Sequence, residues 1–137
     1  MAITRAESQV TWPTAANSKS VTSGSTETSE EVNLNAACVN ARITMKADNS
    51  TTAAADDQIY FWLVETSGDP DGTGTDEFGT SGHAHLLAIL DTNNEDPAIK
   101  TVALPLPQDG LKIIAEGATA GTTNSITVSA TITEQRA

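Results

Sequence analysis

Strict alternation of apolar and polar residues marks the last part of the chain. Within residues 124–135, every second residue from 126 to 132 is apolar, and the residues between them are threonine or serine; the apolar residues are Ile126, Val128, Ala130 and Ile132. A period of two is typical of a β-strand with one buried face and one solvated face. We therefore expect the C-terminal segment to close a β-sheet.

Similar patterns recur upstream. Alternating or continuously apolar segments predict strands at residues 38–46, 58–65, 85–90, 99–104 and 111–116. Turn residues separate them, as at Asp48-Asn49-Ser50. Residues 1–18 are predicted to be an N-terminal arm or edge strand ended by Pro13, and residues 19–137 to be the main domain. About eight strands at these spacings predict an all-β fold, a single antiparallel β-sandwich.

Residues 58–65 are the most apolar segment and hold three of the five aromatic residues. One face of this strand would carry Ile59, Phe61 and Leu63, and the other Tyr60, Trp62 and Val64. Either the strand is covered on both sides within the chain, or one face meets another subunit. Tyr60 and Trp62 are therefore candidate interface residues. Trp12, in the N-terminal arm, is a third, because interfaces favour tryptophan anchors.

Composition narrows the range of partners. Threonine and serine account for 21 and 11 residues, which suits strands and turns. The formal net charge is −11, from 18 acidic and 7 basic residues. Without clustered Lys and Arg, we expect neither nucleic acid nor an anionic membrane as a partner. The N-terminus has no apolar core, and no apolar run reaches membrane-spanning length, so a soluble protein made in a cytoplasm is expected.

No catalytic motif is found in the sequence, and we expect no enzymatic activity. Cys38 is the only cysteine, so no disulfide can form within the chain, and a buried inert thiol is favoured over a nucleophile. The chain has neither a G-x-S-x-G elbow nor a phosphate-binding loop. The pair His83 and His85 has the H-x-H spacing of metal-dependent cupins, but there is no third histidine. A cupin-like metalloenzyme is the least favoured alternative.

The loop over residues 69–77 is a candidate calcium site. Its acidic residues are Asp69, Asp71, Asp76 and Glu77, and the glycines between them would let the loop curl around an ion that prefers oxygen ligands. The other interpretation is a solvated turn, which uses the same residue types. Apart from this possible Ca²⁺, we expect no cofactor.

Several segments resemble small virion proteins of tailed bacteriophages. They are FWLVETSGDPDGTGTDEF (61–78), GHAHLLAILDTN (82–93), DPAIKTV (96–102) and TNSITVSATITE (123–134), within residues 58–135. The resemblance implies a jelly-roll-like sandwich that decorates or cements a capsid. It also implies a homotrimer bound to the major capsid protein, on the surface of virions assembled in the bacterial cytoplasm.

A carbohydrate- or receptor-binding module of a phage tail or fibre is the alternative. Such modules stack sugars on exposed aromatic rings and often hold Ca²⁺, so Phe78 and the 69–77 loop would form the site. Five aromatic residues, three of them in one apolar strand, leave few for a sugar platform. This shortage favours the capsid decoration protein.

Overall fold

The computed structural model describes residues 2–50, 52–66, 68, 70–75, 77–78, 85–105, 110–118 and 124–137. Nine strands are found there: β1 (Thr4–Gln9), β2 (Lys19–Val21), β3 (Thr26–Thr28), β4 (Cys38–Asn49), β5 (Gln58–Glu65), β6 (His85–Asp91), β7 (Ala98–Ala103), β8 (Leu111–Gly117) and β9 (Ile126–Arg136). No helix in these ranges is long and apolar enough to cross a membrane.

The strands form two antiparallel sheets. One has five strands in the order β1-β9-β4-β7, with β2 also paired to β9, and the other has four in the order β3-β8-β5-β6. The paths β2-β9-β4-β7 and β3-β8-β5-β6 together give the strand order of a jelly roll. The all-β antiparallel sandwich predicted from the sequence is confirmed.

The core lies between the two sheets. The apolar residues that alternate along β9 are all buried there, as their period predicted. From the facing sheet, Ile59, Phe61 and Leu63 of β5 have no exposed surface. Val10 and Trp12 belong to the same buried cluster. Burial of this continuous apolar layer is the main favourable contribution to folding.

The N-terminal segment is part of the sandwich. β1 pairs with residues 131–136 of β9, and β2 pairs with residues 126–128 of the same strand. β1, which covers Thr4–Gln9, lies at the edge of the five-stranded sheet.

β4 differs from its predicted form at both ends. It continues through Asn49, so the chain does not turn at residue 48 as expected. Near its start the pairing register with β9 shifts between Cys38 and Asn40. Val39 is 54% exposed as a result of this bulge, although simple alternation would place it on the same buried face as Ala41.

Candidate protein-interaction surface

Apolar side chains are collected on the outer face of the four-stranded sheet. Tyr60 of β5 lies opposite Ile89 of β6, and Trp62 lies opposite Leu86. Because directly paired residues share a face, these four side chains point away from the main core. Val64, two residues beyond Trp62, and Ile114, opposite Trp62 in β8, lie on the same face. We call these six residues the outer apolar strip.

The strip has a buried base and an exposed edge. Val64 and Ile114 are only 3% and 1% exposed, yet neither belongs to the main core cluster. Leu86 and Ile89 are 47% and 41% exposed, and they lie in β6, which is an edge strand. The strip is therefore a second apolar layer, part of which remains open to solvent.

A β-bulge brings both exposed residues to the outer face. Leu86 and Ile89 are three positions apart, and in a regular strand they would point to opposite faces. The register between β5 and β6 shifts between Phe61 and Trp62, where β6 has one extra residue, Leu87. A bulge reverses which side chains face outward beyond it, so the alternation of residues along β6 does not predict that Leu86 and Ile89 share the outer face.

Polar groups surround one end of the strip. The Tyr60 hydroxyl donates to Gln58 Oε1 at 3.4 Å, and Gln58 Nε2 donates to Asp91 Oδ2 at 3.4 Å. Tyr60 and Trp62 are themselves half-buried. The buried indole nitrogen of Trp62 has no hydrogen-bond partner among the described residues. An apolar centre with a polar border is the usual organisation of a protein–protein interface.

Trp12 is a core residue and is not available as a surface anchor. Its side chain has no exposed surface, and its backbone pairs with Ala16 through bonds of 2.7 and 2.8 Å. The sequence around Trp12 has no periodic pattern that would have predicted whether its side chain faces the core or the solvent. Because Trp12 is buried, it cannot be the surface anchor that the sequence predicted, and of the three candidate interface residues only Tyr60 and Trp62 come together.

The candidate calcium ligands are not seen as a cluster. Asp69 and Asp76 lie outside the described residues. The Asp71 carboxylate accepts hydrogen bonds from the backbone N–H and the hydroxyl of Thr73, at 3.1 and 2.8 Å, and Glu77 is exposed. Among the described residues no group of three or more His, Cys, Asp or Glu side chains could hold a metal ion. Within that range, Asp71 is used to shape a turn.

The other candidate chemical groups are also dispersed. His83 lies outside the described residues, and His85 Nε2 is 3.8 Å from Glu65 Oε1 on the surface. The Cys38 thiol is half-buried, and burial, together with the nearby Glu134 carboxylate, raises its pKa above the ordinary value. A raised pKa keeps the thiol protonated and therefore weakly nucleophilic.

One face of the Phe78 ring is covered by the Lys112 side chain. Phe78 is half-buried, and the Lys112 ammonium lies 4.6 Å from the ring centroid, a cation–π geometry. That face of the ring is consequently not free to stack on a sugar.

Comparisons with known proteins identify no family for the chain. No protein-family model matches it, and no curated protein does either. Among solved structures, the crystal structure of FLHE is similar, with a TM-score of 0.42 and 8% sequence identity over 98% of this chain and 96% of that one.

Proposed function

We propose that this protein is a non-enzymatic structural protein of a tailed-phage virion, which decorates or cements the capsid by binding the major capsid protein. The observation that supports it best is the outer apolar strip. A soluble single-domain protein gains little from keeping Leu86 and Ile89 in water, whereas an interface would bury them. The phage assignment, the major capsid protein as partner and the homotrimer rest on the sequence resemblance.

The strip has the composition that binding surfaces use. It combines a tyrosine and a tryptophan, which are enriched among residues that dominate binding energy, with aliphatic side chains. It lies on β-strands, so its side chains are held in place before binding and little ordering is needed. Both features favour a stable structural contact.

Copy number in virions tests the proposal. Particles of the tailed phage that encodes this chain would be purified on a density gradient and analysed by quantitative mass spectrometry. We expect the number of copies of this chain per particle to be of the same order as the number of capsomer junctions, and its ratio to the major capsid protein to be fixed. Absence from purified particles would contradict the proposal.

A matched pair of variants then tests the surface. Ile89→Asp places a charge in the strip, and Ile99→Asp places the same charge at a 54% exposed isoleucine of β7 in the other sheet. Particles lacking this protein would be incubated with each purified variant and sedimented. We expect Ile89→Asp to lose binding and Ile99→Asp to keep it. Equal binding by both variants would rule out the outer apolar strip as the contact.

The carbohydrate- or receptor-binding module remains the second proposal. Its predicted site includes Phe78 and the 69–77 loop, and Lys112 already covers one face of that ring. Thermal unfolding with and without Ca²⁺ tests it, because an ion that binds only the folded chain must raise the melting temperature. No rise at millimolar Ca²⁺ would remove its main support.

A further inference from the structure

A polar groove of about 360 Å³ crosses the outer face of the five-stranded sheet, on the side of the molecule away from the outer apolar strip. Every lining side chain can form hydrogen bonds: Arg5, Asn40, Arg42, Thr44, Thr101, Thr133 and Gln135. Its volume is at the lower end of the range for small-molecule sites.

Strand register explains how the groove is built. Gln135 of β9 lies between Arg5 of β1 and Asn40 of β4, so it forms a floor between two walls. β1 and β4 are two strand spacings apart, about 10 Å, which the long arginine side chains can span. In β7 the residue opposite Arg42 is Ala103, whose side chain is a single methyl group.

One end of the groove is held by neutral groups. The hydroxyls of Thr44 and Thr101, which lie opposite each other in β4 and β7, are hydrogen-bonded at 2.8 Å. Thr133 continues the floor beside Arg42. Amides and hydroxyls can both donate and accept, so this part of the groove suits a ligand that carries several hydroxyl groups.

Charge distinguishes the groove from the rest of the molecule. The chain has 18 acidic and 7 basic residues, yet among the described residues the lining holds two arginines and no carboxylate. Arg5 is paired at the border with Glu7, at 3.6 Å and well exposed. Arg42 forms no ion pair within the part of the chain that the structure describes. Its planar guanidinium matches the two oxygens of a carboxylate.

We propose that this groove binds a small acidic sugar, with the sugar carboxylate on Arg42 and the sugar hydroxyls on Asn40, Gln135 and Thr133. Within the described part of the chain no aromatic side chain lines the groove, so a neutral sugar would lack a stacking platform and the carboxylate must provide much of the affinity. The site is independent of the proposed capsid contact, which uses the other sheet.

Titration with sodium glucuronate, followed by amide NMR at low ionic strength, tests the groove. We expect saturable shifts at residues 40, 133 and 135, with glucose and acetate each binding about tenfold more weakly or worse, since each lacks one half of the recognition. Arg42→Gln should weaken glucuronate binding by a similar factor, because a charged hydrogen bond is lost.

Lys46→Gln is the matched control. Lys46 is in the same strand and on the same outward face, but outside the groove. The Lys46→Gln variant should bind glucuronate as tightly as the wild type does. Absence of shifts at the lining residues, equal binding of glucose or acetate, or an Arg42→Gln variant that binds normally would each overturn the proposal. Both substitutions are at the surface, so preserved spectra elsewhere would show that the fold is intact.

Discussion

Asp57 is a carboxylate that connects separate segments at one end of the sandwich. It is 3% exposed, and its Oδ2 accepts hydrogen bonds from Asn124 Nδ2 at 2.8 Å, the Ala54 N–H at 2.8 Å and Asn49 Nδ2 at 3.1 Å. These donors come from the end of β4, the turn before β5 and the approach to β9. A buried acceptor shared by three donors fixes the relative positions of these segments.

Asp57→Ala should therefore destabilise the protein strongly. It removes an acceptor that three donors share, although the Asn49 and Asn124 side chains each keep a second acceptor. We expect a loss of about 3 kcal/mol in the free energy of unfolding, measured by chemical denaturation. Asp56→Asn is the control, because Asp56 is exposed and has a φ of 66°, which asparagine tolerates. A loss below about 1 kcal/mol for Asp57→Ala would show that water replaces the carboxylate.

Glu134 makes stability depend on pH. Burial acts to raise its pKa, but hydrogen bonds from Arg136, whose Nη2 is 2.5 Å away, and from the Asn35 N–H outweigh burial and lower it below the ordinary 4.5. Because the pKa is lower in the folded state, the ionised carboxylate stabilises the fold at pH values above its pKa in the unfolded chain. That contribution is lost as the pH falls through the folded value.

Glu134→Gln should make the free energy of unfolding depend less on pH in the acid range. Between pH 6 and pH 3, the wild type should lose more unfolding free energy than the variant, as measured by urea denaturation at each pH. Glu95→Gln, which removes an exposed carboxylate from the turn after β6, reports the general effect of one charge. Parallel pH profiles for wild type and Glu134→Gln would contradict a stabilising role for the ion pair.

Among the elements, the end of β8 is in close contact with the β2–β3 turn. A Cβ at Gly117 would lie 2.2 Å from the Thr22 carbonyl oxygen, which is backbone and cannot rotate away. Gly117 also accepts a hydrogen bond from the Gly24 N–H at 3.1 Å and donates one to the Ser25 carbonyl at 2.9 Å. Only glycine allows the turn and the strand to approach this closely.

Gly117→Ala is expected to cost about 2 kcal/mol or more, because the turn must move or lose its hydrogen bonds. Gly110→Ala is the matched control. A Cβ there meets the end of the exposed Glu31 side chain at 3.2 Å, and that side chain can move. Thermal unfolding of the two variants compares them directly, and equal melting temperatures would show that the turn adapts.

The sequence predicted elements better than it predicted surfaces. β5 has the predicted bounds, and its two apolar faces are found, because period and composition act locally. The exposure of Leu86 and Ile89 depends on a bulge, and the burial of Trp12 depends on where distant strands pass. The groove around Arg42 joins residues from β1, β4, β7 and β9, and no local pattern signals that they meet.

For the whole molecule, net charge and exposed apolar surface have opposite effects on association between copies of the chain. Each chain has a formal charge of −11, so free copies that associate through an uncovered outer apolar strip must overcome mutual repulsion. Binding of the strip to a capsid protein with positive charge nearby would replace this repulsion by attraction, and such complementarity speeds docking. In solution, added salt must reduce the repulsion between chains by screening their charges.

Self-association should therefore strengthen as salt is added. Raising NaCl from about 20 mM to about 300 mM shortens the screening length from about 20 Å to about 6 Å and reduces the repulsion between chains. In sedimentation equilibrium we expect a shift from single chains of 14.2 kDa towards larger species, in which copies cover each other's strip in the absence of a capsid. Ile89→Asp should stay monomeric at every salt concentration, whereas Ile99→Asp should follow the wild type. Association that weakens with added salt would instead mean that pairs of opposite charges hold the copies together, and that the strip contributes little to the contact.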